Sequence, residues 1–161
     1  MFQELEFLKT LKIKSTELVR YSSVLVTSDS RQEKHIANIQ ERAKCLPELL
    51  LKGKFEELRE TWIYSSSYLI DMYGLDVIKR IFLEIGDLSM DFSDVDFLDG
   101  LSEELLIYRA GSDDGISWTP YLTTAEMHSE LTGHEIIKKT INKNEIKAAY
   151  VEENEVIYFK D

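Results

Sequence analysis

Three pieces in the last third of this chain have residue types suited to chemistry: Arg109, Ser117-Trp118-Thr119 and Glu153-Asn154-Glu155. A guanidinium is planar and always charged, so it suits a bidentate grip on an anion. A carboxylate favours a cation-like reacting centre, and a second one can orient or deprotonate an acceptor. Each piece also has an ordinary reading. Arg109 can pair with a nearby carboxylate, Ser117 and Thr119 suit an edge strand, and the glutamates suit a solvated acidic turn.

The elements that must hold these residues are short strands. Residues 105–109 form a strand candidate that Arg109 closes, and Ser112-Asp113-Asp114-Gly115 is dense in turn formers. Residues 116–119 make a second short strand cut off by Pro120, so the pair reads as a β-hairpin. Thr123 or Thr124 can cap a helix running to Gly133. Three more strands are expected at 135–141, 146–151 and 155–159, with Glu152-Glu153-Asn154 as the last turn. Arg109, Ser117 and Glu155 therefore sit at a strand end, on a short strand and at a turn–strand junction. Such positions expose functional side chains.

Upstream the period is helical. Phe2, Leu5, Leu8 and Leu11 recur three apart over residues 2–14, and Ser15 can cap a second helix ending near Thr27. Ser30-Arg31-Gln32-Glu33 reads as a capping box for a helix with Ile36, Ile39 and Ala43 inward, expected to stop before Pro47. Residues 54–73 carry Phe55, Leu58, Trp62, Leu69 and Met72 on one face, with Gly74 as the stop; Trp62, Tyr64, Tyr68 and Tyr73 are expected in the core. Residues 76–85 form a shorter helix that buries Val77, Ile78, Ile81 and Phe82. In residues 88–99 acidic residues alternate with Met90, Phe92, Val95 and Phe97, which fits an ordered loop or a helical turn. The fold class expected is α+β: a helical part, 1–104, packed on a small, mainly antiparallel sheet, 105–161, as one folded unit.

Composition narrows the function classes. The chain has 161 residues, 43% hydrophobic and 11% aromatic, enough for a real core. Its formal net charge of −11, from 30 acidic against 19 basic residues, argues against nucleic-acid binding. No apolar run approaches the roughly 20 residues of a membrane-spanning helix, and Met1-Phe2-Gln3-Glu4 does not begin a secretory signal. Cys45 is the single cysteine, and His35, His128 and His134 fall at no metal-ligand spacing, so no metal is expected. A soluble, cytoplasmic protein is expected.

The order of the three pieces resembles the arginine–serine–glutamate class of mono-ADP-ribosyltransferases. Tyr108-Arg109-Ala110-Gly111 with Gly115-Ile116-Ser117-Trp118-Thr119 is similar to the Tyr-Arg-Gly and Gly-x-Ser-Trp-Thr pieces of small bacterial and phage members. Ala148-Ala149-Tyr150 and Glu155-Val156-Ile157 are similar to their closing hairpin. Three departures stand out: Ala110 replaces a glycine, Ile116 replaces an aromatic residue, and the stretch from Ser117 to Glu155 is short. The helical part must then supply one wall of the cleft.

The resemblance implies an enzyme that uses NAD as substrate and transfers ADP-ribose to a protein acceptor, with arginine the implied target. Breaking the nicotinamide–ribose bond passes through an oxocarbenium-like state, and the resemblance assigns its stabilisation to Glu155. It implies that Arg109 holds the NAD phosphates or ribose, that Ser117 steadies the ribose and orients Glu155, and that Glu153 meets the acceptor. Ala110, Gly111, Trp118 and Thr119 complete the implied NAD-binding set. Two rival readings are a non-catalytic acidic interaction or inhibitor protein with a degenerate form of the fold, and an NAD glycohydrolase with water as acceptor.

Overall fold

A computed structural model describes residues 3–10 and 30–161. The chain is α+β and divides into two compact units, Met1–Ser89 and Met90–Asp161. The segment before the first strand, residues 90–103, thus belongs with the sheets and not with the preceding helices. Among the described residues no helix is long and apolar enough to cross a membrane.

In the first unit a 3-10 helix, Gln3–Thr10, buries Leu5 and Leu8. Residues three apart stack on one edge of a 3-10 helix, which accounts for the spacing seen in the sequence. Residues 11–29, with the expected second helix, lie outside the described residues, as do the side chains of the Ser30 capping box. Helix α1, Ser30–Leu51, runs through Pro47 where the sequence predicts a stop. Proline has no N–H to offer the carbonyl four residues back, here that of Ala43. The Tyr73 hydroxyl donates to that carbonyl at 2.6 Å, and to the Lys44 carbonyl at 3.2 Å, so the helix continues.

Burial pushes the Tyr73 phenol well above its ordinary titration range, which keeps the donor proton in place. Tyr73→Phe should leave the Ala43 carbonyl unsatisfied and cost about 1–3 kcal/mol. Urea unfolding measures this, and an unchanged midpoint would mean that the helix tolerates Pro47 unaided.

Helix α2, Glu56–Tyr73, kinks at Ser65, whose φ of −153° is not helical. Ser65 Oγ and Thr61 Oγ1 donate back to the Thr61 and Glu57 carbonyls at 2.6 and 2.7 Å, a pattern that bends helices. Leu58, Trp62, Leu69 and Met72 are buried as expected, and Phe55 precedes the helix. Tyr64, expected in the core, is 54% exposed. Gly74, at φ 88°, ends α2 and opens α3, Leu75–Ile85. Ile78, Ile81, Phe82 and Ile85 of α3 are buried, and Trp62 meets Phe82 edge-on.

In the second unit α4, Phe92–Asp99, starts with a reciprocal capping box between Asp91 and Asp94. Its acidic–apolar alternation does not set burial: Phe92 is 91% exposed and Asp94 fully buried. β1, Glu104–Ala110, pairs antiparallel with β3, Ile136–Asn142. β2, Ser117–Trp118, pairs with β5, Glu155–Tyr158, and β5 pairs with β4, Ile146–Tyr150, giving the order β2-β5-β4.

The hairpin expected between β1 and β2 shrinks to a single antiparallel contact, and the two strands belong to different sheets. The two strands touch through one bridge, Tyr108 to Thr119, with both backbone bonds made at 2.8 and 2.9 Å. Helix α5, Leu122–Thr132, starts without a side-chain cap, because neither Thr123 nor Thr124 precedes its first turn. It ends at Gly133 in the left-handed region. Ile107, Trp118, Ile141, Ala149, Val156 and Tyr158 form the core of this unit.

Candidate active site

β5 is the central strand of its sheet and is buried along its length. Its first residue, Glu155, is only 8% exposed. The pairing of Ser117 with Ile157 and Trp118 with Val156 brings β2 alongside, and Ser117 Oγ donates to Glu155 Oε2 at 2.5 Å. Two motif pieces separated by 38 residues in the chain thus meet through a side-chain hydrogen bond. This contact depends on β2 pairing with β5, which the sequence pattern did not reveal.

Arg109 reaches the same place from the end of β1. Its Nε donates to the Ser112 carbonyl at 2.8 Å and its Nη1 to the Ser117 carbonyl at 2.9 Å. Partial burial lowers the guanidinium's affinity for its proton, while the Asp114 and Glu155 carboxylates raise it. A guanidinium stays charged under such a balance, so it supplies a fixed positive charge near Glu155.

The loop that Arg109 lies on is tied at several points. Ser112 donates to the Asp114 carboxylate, and Lys139 of β3 pairs with Asp113 at 2.9 Å. Gly111, at φ 136°, turns the chain out of β1 in a conformation that side-chain residues rarely adopt. Gly115 serves the site differently. A Cβ at this position would lie 2.0 Å from Arg109 Cζ, so only glycine leaves room for the guanidinium. In the sequence Gly115 is a turn former and nothing more, since its closeness to Arg109 depends on the folded loop.

Trp118 and Thr119, both in the expected NAD-binding set, are buried. Trp118 donates from Nε1 to the Gly115 carbonyl at 2.9 Å and packs edge-on against Tyr158. Thr119 Oγ1 accepts from the Tyr121 N–H at 3.2 Å. These side chains frame the site from within. Ala110 ends β1 opposite Ile136, half-buried, and the Gly111 N–H donates to the Glu135 carbonyl at 3.0 Å.

Glu153 stands apart from the recessed group. It ends a 3-10 turn, Val151–Glu153, and is exposed. Asn154 follows in the left-handed region at φ 51°, which turns the chain inward before Glu155. The two glutamates of the pair therefore divide into an outer and an inner carboxylate.

No family model, curated protein or solved structure matches this chain. Among the described residues no group of histidine, cysteine and acidic side chains is arranged to hold a metal ion. An open groove of about 690 Å³ lies elsewhere on the second unit, walled by Leu101, Leu106, Tyr108, Pro120 and Tyr121. Arg109, Ser117 and Glu155 do not line it. Asp94 is buried, and its one signal in the sequence is the spacing Asp91-x-x-Asp94 of a capping box.

Proposed function

We propose that the protein is an NAD-dependent mono-ADP-ribosyltransferase that modifies a protein acceptor on arginine, and that residues 105–161 form a core of the ADP-ribosyltransferase type. The observation that carries this reading is the Ser117–Glu155 hydrogen bond beside the Arg109 guanidinium. It joins the inner carboxylate, the hydroxyl and the cation in one half-buried group.

The residues present fit such a substrate in charge and in function. Arg109 offers a fixed cation to phosphate, and its placement against Gly115 costs nothing further on binding. Ser117 orients Glu155 through its hydroxyl, leaving the carboxylate to stabilise positive charge developing on a ribose carbon. Low exposure strengthens that interaction, because water screens it less. The exposure of Glu153 at the turn supports a role in orienting an incoming guanidinium. In this reading the protein acts in the cytoplasm, and its single cysteine is consistent with that compartment.

A non-catalytic reading draws on one observation: Arg109 commits donors to the Ser112 and Ser117 carbonyls, as a purely structural arginine would. Incubation with NAD separates the two. The transferase reading expects nicotinamide release, and a rise in melting temperature with NAD, since a ligand bound only by the folded chain stabilises it. No shift at millimolar NAD, together with no nicotinamide over hours, would favour the interaction protein.

A further inference from the structure

We propose that Asp94 is the positioning residue for the outer glutamate, Glu153; this rests on the transferase reading above. Asp94 lies in the first turn of α4 and is fully buried, at 0% exposure. A buried carboxylate is costly unless donors meet its oxygens. Here Oδ2 accepts from the Asp91 N–H at 3.0 Å, within the helix cap. Oδ1 accepts from the Val151 N–H at 3.0 Å, 57 residues further along the chain. The cap alone explains one oxygen; the second is spent on the turn.

Val151 is the first residue of the turn that ends in Glu153. The turn is therefore fastened at its start to Asp94, and after Asn154 it passes into β5, where Glu155 pairs with Tyr150. Glu155 has its own anchors in that ladder and in Ser117. Glu153 has no such ladder position, so the direction in which it projects depends on how the turn is held. Asp94 thus sets the acceptor side of the site while leaving the NAD side to other contacts.

The test uses the full chain with labelled NAD and arginine methyl ester as acceptor, reading transfer and nicotinamide release separately. Glu153→Gln serves as the benchmark and should depress transfer while sparing hydrolysis. Asp94→Asn turns one acceptor oxygen into an NH2 group that cannot accept, so one of the two amides loses its partner. Val151→Pro removes the turn's N–H and exchanges the valine side chain for a ring of similar size, at a first-turn position that proline suits. Tyr73→Phe, in the other unit, costs stability without touching the α4 cap or the Val151 turn, and serves as the stability control.

Asp94→Asn and Val151→Pro should each lower transfer about tenfold or more, as displaced positioning does, with hydrolysis changed far less. Tyr73→Phe should lower the melting temperature and leave the ratio of transfer to hydrolysis at the wild-type value. If Asp94→Asn fails to fold, Val151→Pro decides. An active wild type whose ratio is unchanged in Val151→Pro and in any folded Asp94→Asn overturns the role of Asp94 and leaves the transferase reading standing. A wild type that neither releases nicotinamide nor transfers label overturns both.

Discussion

Glu155→Gln is expected to cut nicotinamide release and ADP-ribose transfer together by about 10²- to 10³-fold, the usual cost of removing one preorganised electrostatic contact. The change keeps the side chain's shape and still lets Ser117 Oγ donate to an amide oxygen, so the 2.5 Å contact has a neutral counterpart. What disappears is negative charge at a site only 8% exposed, where it counts most. Folding should be little affected, which circular dichroism and the melting temperature would show. Full activity in this variant would reduce the glutamate pair to a coincidence in an acidic tail, and the transferase reading would have to be dropped.

Gly115→Ala is expected to separate the guanidinium from the rest of the site without unfolding the protein. The new methyl would sit 2.0 Å from Arg109 Cζ and 2.2 Å from its Nε. Neither can stay. The group that yields is the far end of a flexible side chain, so the fold survives, and stability should fall by about 1–3 kcal/mol as two carbonyls lose their donor. Arg109 would lose its bonds to the Ser112 and Ser117 carbonyls and move by more than an ångström. Displacement of that size commonly costs about 10²-fold in rate. The loss should appear in kcat/KM for NAD, and Arg109→Ala in the same assay should be no better than Gly115→Ala. Wild-type kcat/KM in Gly115→Ala would mean that Arg109 does not hold NAD from the position it occupies.

Much of the secondary structure was legible because it is written in local periods. The strands at 136–142, 146–150 and 155–158, and the helices at 56–73 and 75–85, follow from apolar spacing and from glycines at Gly74 and Gly133. Pro47 shows where local rules stop. A proline ends a helix when its orphaned carbonyl has no other donor, and the Tyr73 hydroxyl, 30 residues away from Ala43, supplies one. Tyr64 shows the same limit on the apolar side, since the kink at Ser65 interrupts the regular spacing of one helical face.

From its sequence alone this chain could be read as a helical part followed by short strands, with Arg109, Ser117, Glu153 and Glu155 as the residues suited to chemistry. Only tertiary structure decided which of them meet. The chain at β2 meets β1 only through the Tyr108–Thr119 bridge and pairs with β5, while the loop from Gly111 to Gly115 folds around Arg109. That choice sets Ser117 against Glu155. It was also tertiary structure that put Gly115 under the guanidinium and the buried Asp94 carboxylate at the head of the Glu153 turn. Strand partners, burial and hydrogen-bond acceptors are settled between residues tens of positions apart, where the competing pairings differ in packing and in no local pattern.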